Sequence, residues 1–256
     1  MRKLERLEWV VLLSIIVSAF GFFTILLLAL HGAQSTEIVT WRKPVIGSIF
    51  ALICLFGIIG SLSPRICKET FGHQRRMDTT YSSLQTPNLA VSTKGHHYVC
   101  GKFSVHTIQL NGHVFCAACT GLLIGGIGAL VGTIAYFFAG WEPQQIGFPA
   151  AVIGVAAMIS GFLQLKFGGF VRLILNVLFA LGAFLILAGL DRMTGSLSVD
   201  LFSIVLIVFW LFTRILLSQW DHWRICRTCL TPCEIQDKRK VESIPSTHSV
   251  EGTNYH

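Results

Sequence analysis

Charge is scarce in this chain. Asp, Glu, Lys and Arg make up 13% of its 256 residues, where a water-soluble domain carries about 25%. With 53% hydrophobic residues and a mean hydropathy of +0.65, the composition is that of a membrane protein. Five apolar stretches (9–30, 44–62, 114–139, 148–165 and 173–190) contain no Asp, Glu, Lys or Arg. A sixth, 201–217, contains only Arg214. At ~20 residues per crossing of a ~30 Å hydrocarbon layer, these predict about six transmembrane helices. Arg214 lies near the end of its span, where a long side chain can snorkel to the interface.

Other absences narrow the function. The first stretch is too long for a removable signal peptide and lacks a small-residue cleavage site, so a retained anchor is expected. No basic stripe interleaved with aromatics accompanies the net charge of +7, and no nucleic-acid partner is expected. No Ser/His/Asp arrangement, phosphate loop or paired carboxylates can be assigned. The spans hold few polar residues: Gln164, Asn176 and the edge residues Asp191, Asp200 and Arg214. The two aspartates are expected close to water. No chain of carboxylates suits a proton-coupled transporter, and no internal repeat supports one.

The positive charges are distributed on one side. The alternating topology puts 17 of the 20 Lys and Arg on one face, leaving Arg42, Lys43 and Arg192 on the other. The cytoplasmic excess of basic residues then predicts a multi-pass protein of the cell membrane with both termini in the cytoplasm. The expected organisation is an all-α polytopic domain over 1–217, including a cytoplasmic loop at 63–113. A cytoplasmic cysteine-containing segment with a disordered tail follows at 218–256. Within the loop, alternating Val, Phe, Thr and Ile flank Asn111-Gly112, a turn signal for a short β-hairpin.

Cysteine is missing from the outer loops. Cys54 lies mid-span, where a small buried hydrophobe is expected. The other seven, Cys67, Cys100, Cys116, Cys119, Cys226, Cys229 and Cys233, fall on the cytoplasmic side, where thiols stay reduced and a disulfide framework is disfavoured. Cys116-x-x-Cys119 enters the third span, and Cys226-x-x-Cys229 leaves the sixth. The spacing lets both sulfurs of a pair reach one tetrahedral ion at ~2.3 Å. If the two helices are neighbours, four thiolates would close a structural zinc site. Cys100 and His106 form the local alternative, and an iron–sulfur cluster is less favoured than zinc. A second reading is thiol redox chemistry: Cys116 and Cys119 sit at a helix N-terminus, which stabilises thiolate, with the tail cysteines as relay. A transporter, or a subunit of a larger complex held together by the metal, is the third.

Downstream of the cysteines, Gly121, Gly125, Gly128 and Gly132 fall on one helical stripe. Small residues in such register allow close helix approach, either within the bundle or with another membrane protein. On the helical wheel Cys116 and Cys119 project from roughly the opposite side.

Residues 100–125 resemble an uncharacterised family of prokaryotic multi-pass membrane proteins. The resemblance rests on Cys100, Gly112, Cys116, Cys119, Thr120, Gly121 and Gly125. The chain departs from that pattern at Gly101, at His106-Thr107-Ile108 and at Ala118. It implies that Cys100, Cys116 and Cys119 form one constellation, with His106 or a tail cysteine as a fourth member. It implies no activity.

Overall fold

The computed structural model describes residues 2–31, 40–62, 106–110, 113–141 and 147–228. The elements run α1 (Arg2–His31), α2 (Arg42–Leu62), β1 (Thr107–Leu110), β2 (His113–Cys116) and α3 (Ala117–Thr133). A π-helical turn (Ile134–Phe138) continues α3, and α4 (Gly147–Phe162) ends in a 3₁₀ turn (Leu163–Lys166). Then come α5 (Gly169–Thr194) and α6 (Leu197–Thr228). Six segments are long and apolar enough to cross a membrane: Glu8–His31, Arg42–Leu62, Ala117–Phe138, Gly147–Lys166, Gly169–Thr194 and Leu197–Asp221. Each overlaps one of the six expected stretches. Phe20, Phe56 and Val205 stand exposed on the outer faces, where lipid contact is the physical use for such side chains.

α5 is the most buried of the six, because glycines let two neighbours settle against its backbone. On one side, a β-carbon at Gly121 would lie 2.4 Å from the Leu173 carbonyl oxygen. One at Gly125 would lie 2.8 Å from that of Val177, and Gly132 meets the Phe184 ring. The glycine stripe therefore packs inside the chain, and α5 occupies the face that could have docked a second membrane protein. On the other side Gly154 of α4 and Gly182 of α5 lie back to back, and a β-carbon on either would stand within 2.8 Å of the other's carbonyl oxygen. α1 is held differently, through Phe22 stacked on Trp210 of α6 at 4.2 Å between ring centroids.

The hairpin pairs Leu110 with His113 and Thr107 with Cys116. Asn111 and Gly112, between the strands, lie outside the described residues, as do most of 63–113 and the chain after Thr228. Cys116 is the last strand residue and has extended backbone (φ −72°, ψ 116°). It is therefore not on the helical wheel that the sequence places it on.

At the far end of α5, Gly195 takes a left-handed φ of 59° and its N–H donates to the Asp191 carbonyl at 2.9 Å. Glycine tolerates this cap conformation, and only Ser196 then separates it from α6. The tight turn brings Asp191 and Asp200 together around Arg42 of α2. Arg42 Nη1 lies 2.5 Å from Asp191 Oδ1 and also bonds Asp200. Lys43 adds a contact to Asp191 at 3.9 Å. The π-helical turn directs Tyr136 inward, where its hydroxyl donates to Asp191 at 2.8 Å. The two aspartates, expected near water, are instead 2% and 0% exposed. The carboxylate pair that the sequence does not reveal forms across helices.

Two outcomes follow. Gly121→Leu would drive a side chain into a backbone carbonyl and is expected to destabilise the purified protein by about 3 kcal/mol. Gly57→Leu, with nothing within 4 Å, should leave the thermal midpoint unchanged. Arg42→Met strands two buried carboxylates and should cost about 3–5 kcal/mol. Adding Asp191→Asn and Asp200→Asn to that variant should restore most of the loss in the same thermal assay.

Candidate functional site

The opposite end of the bundle gathers the polar side chains around Cys116 and Cys119. β2 delivers Cys116 to the N-terminus of α3, and Thr120 Oγ1 donates to the Cys116 carbonyl at 3.0 Å, tying the first turn to the strand. Close α3–α5 packing then brings this turn over the start of α5: a β-carbon at Gly121 would stand 2.8 Å from Asn176 Cβ. Cys116 and Cys119 are both partly buried and no disulfide joins them.

Their surroundings are strongly positive. Arg172 of α5 is 3% exposed and Arg214 of α6 is 5% exposed. Asp221 of α6, also buried, lies 3.7 Å from Arg172 and 3.4 Å from Arg224. Arg214 donates to the amide oxygen of Asn176 and reaches Gln164 Oε1 at 3.5 Å. Asn176 in turn donates to the Arg172 carbonyl at 2.6 Å. The Nε atoms of both arginines bond to nothing among the described residues. Among the described residues at this end, two buried guanidiniums face one buried carboxylate.

That imbalance acts on Cys116. The Cys119 thiol hydrogen-bonds its sulfur, the backbone N–H groups of Cys119 and Ala118 face it, and Arg172 adds positive charge. Together these outweigh burial and draw the Cys116 pKa down from 9.0 to about 6. Near neutral pH the group is mainly thiolate. A thiol whose pKa is depressed on folding stabilises the fold fully above its ordinary value. That contribution is lost as pH falls through about 6.

His106 comes to the same place from just before β1, facing Arg172 and Asp221. Its Nδ1 lies 2.5 Å from Arg172 Nη1, and its Nε2 lies 3.8 Å from Asp221. A ring nitrogen facing a guanidinium must accept, which assigns the proton to Nε2, towards the carboxylate. Burial, followed by Arg172, lowers the His106 pKa against the opposing pull of Asp221. The imidazole is neutral near pH 7.

Of the residues expected to ligate a metal, the structure thus brings Cys116, Cys119 and His106 to one end of the bundle. Cys226 falls on the last turns of α6, five residues beyond Asp221, while Cys100 and Cys229 lie outside the described residues. Among the described residues no group of three or more His, Cys, Asp or Glu side chains is placed to hold a metal ion. Arg214 does not snorkel as expected; it is buried against amides. The arginine shell was missed because each member reads singly as an interfacial charge. Its signal was spacing: Arg172 and Asn176 lie four apart, and Arg214 and Asp221 seven apart, each pair on one helical face.

Alkylation of Cys116, followed by site-resolved mass spectrometry, should show a rate inflection at about pH 6. In Cys119→Ala, which removes the largest stabilising contact, the inflection should move upward toward the ordinary thiol range. No protein-family model, curated protein or solved structure matches this chain.

Proposed function

We propose that this chain is a multi-pass protein of the cell membrane that carries out thiol–disulfide exchange through Cys116 and Cys119. The observation that carries the reading is the depressed thiol at a helix N-terminus beside two buried guanidiniums and one carboxylate. Thiolate is the attacking form in exchange, and this site supplies it near neutral pH. The 17 to 3 partition of Lys and Arg supports a cytoplasmic position for the site and both termini. Thiols there are kept reduced and act transiently.

The exchange is balanced by thiols alone. The Cys116 thiolate attacks one sulfur of a partner disulfide, the S–S bond breaks, and the partner's other sulfur leaves as thiolate. Cys119, losing its proton, then attacks the Cys116 sulfur of the mixed disulfide and releases the partner as a dithiol. Every step reverses, so reduction potentials decide the direction. Cys226, Cys229 and Cys233 follow Asp221 along the chain, and are the thiols nearest in sequence to serve as a relay.

A second reading keeps zinc, held by Cys116 and Cys119 with Cys226 and Cys229, or with Cys100 and His106. It draws support from α6, which runs past Asp221 and carries Cys226 onward at the thiol end. Against it, a dication beside Arg172 and Arg214 is opposed by both guanidiniums.

Incubated with a small aromatic disulfide, Cys119→Ser should accumulate a stable adduct on Cys116. Cys116→Ser should form at least ~tenfold less adduct, because only the depressed thiol attacks readily. Stoichiometric zinc in the purified protein, with both cysteines protected from alkylation until it is chelated, would overturn the exchange reading in favour of the metal site.

A further inference from the structure

Among the described residues no acid pairs with Arg214. It is buried in the span of α6, and its hydrogen-bond acceptors are the neutral amide oxygens of Asn176 and Gln164. Its guanidinium carbon lies 5.7 Å from the centroid of the Phe179 ring, and its Nε has no hydrogen-bond partner among the described residues. The one buried carboxylate among the described residues at this end, Asp221, pairs with Arg172 and Arg224. Amides solvate a guanidinium without neutralising it, and arginine does not shed its proton. A buried cation without a counter-ion is costly in a protein and more so in a membrane.

Groups able to supply the missing anion sit directly above. Asn176, which accepts from Arg214, lies under the first turn of α3 at Gly121, two residues from Cys119. Cys116 and Cys119 belong to the end of β2 and to that first turn, over the Asn176 amide that holds Arg214. The cation is fixed, whereas the anion exists in only one redox state. As a disulfide the pair is neutral, and Arg214 faces no negative charge. On reduction a dithiol substrate contributes two electrons to the S–S bond and becomes a disulfide itself. The pair then holds one thiolate and one thiol, and one proton is released.

We infer that Arg214 is the fixed counter-charge of the reduced Cys116–Cys119 pair, a positioning residue that biases exchange toward oxidation of dithiol substrates. The inference rests on the exchange reading and adds its direction: electrons enter the pair from a dithiol, and against a thiol pool the pair rests reduced. A couple whose reduced form is stabilised is the stronger oxidant.

The test is redox equilibration of the full-length protein in detergent against glutathione and glutathione disulfide at fixed pH. Mass spectrometry resolves Cys116 and Cys119. Arg214→Met should lower the equilibrium constant for oxidising glutathione at least tenfold, equivalent to ~30 mV for a two-electron couple. Arg214→Lys keeps the charge and should stay within about threefold of the parent. Arg192→Met, at the other end of α5, should match the parent. An unchanged constant in Arg214→Met overturns the inference while leaving thiol exchange intact. An equal loss in Arg214→Lys overturns it as well, because hydrogen-bond geometry rather than charge would then be responsible. If no Cys116–Cys119 disulfide forms in the parent protein at any poise, the exchange reading itself fails, and the inference with it.

Discussion

The architecture of the thiol end depends on how closely α3 can approach α5. Where Gly121 and Gly125 lie on the Leu173 and Val177 carbonyls, any side chain would hold the helices apart. Hydrophobic burial cannot drive helices together inside lipid, so close van der Waals contact between small residues supplies the attraction. The consequence is chemical as well as mechanical. A separation that admits no side chain brings the cysteine turn against Asn176, and through it against Arg214. The same approach lets Arg172, one turn before Asn176, raise the positive potential at Cys116.

The two ends of the bundle solve opposite electrostatic problems. At one, Arg42 is shared between Asp191 and Asp200, and the excess negative charge draws in Lys43 and the Tyr136 hydroxyl. At the other, Arg172 and Arg214 exceed Asp221, and the excess is positive. Arg172 and Asp191 mark these ends on a single helix, nineteen residues and about 28 Å apart at 1.5 Å per residue. That spacing matches the ~30 Å hydrocarbon layer. Buried charge is thus confined to the margins, with Asn176 and Arg214 one turn or so further in. The negative end closes with protein cations alone. At the positive end the groups set beside the surplus guanidiniums are the thiols of Cys116 and Cys119.

Much of the fold was legible in the sequence because the bilayer imposes strong one-dimensional rules. Runs with at most one Lys, Arg, Asp or Glu marked the six spans, Asn111-Gly112 marked the division between two strands, and the register of four glycines marked a packing face. The site was only partly legible. Cys116 and Cys119 stood out by spacing, but the wheel placed Cys116 on a helix, whereas it ends a strand and turns its sulfur toward the helix N-terminus. Asp191, Asp200 and Arg214 each looked like a residue at a span edge. Their burial arises from neighbours 38 to 158 positions away in the chain, such as Arg42 for Asp200 and Asn176 for Arg214.

The sequence by itself determined that this chain has six helices long and apolar enough to span a membrane. It also determined that its positive charges are distributed asymmetrically and that a cysteine pair opens the third helix. These are properties of composition and local spacing, and they hold whatever the helices do next. Only the tertiary structure decided that the glycine stripe is filled by α5 and not by a partner. It also decided that the carboxylates meet on Arg42 and that the thiols lie beside buried guanidiniums that outnumber the buried acid among the described residues. A charge in low dielectric is defined by what it faces, and facing is set by the packing of helices far apart in the chain.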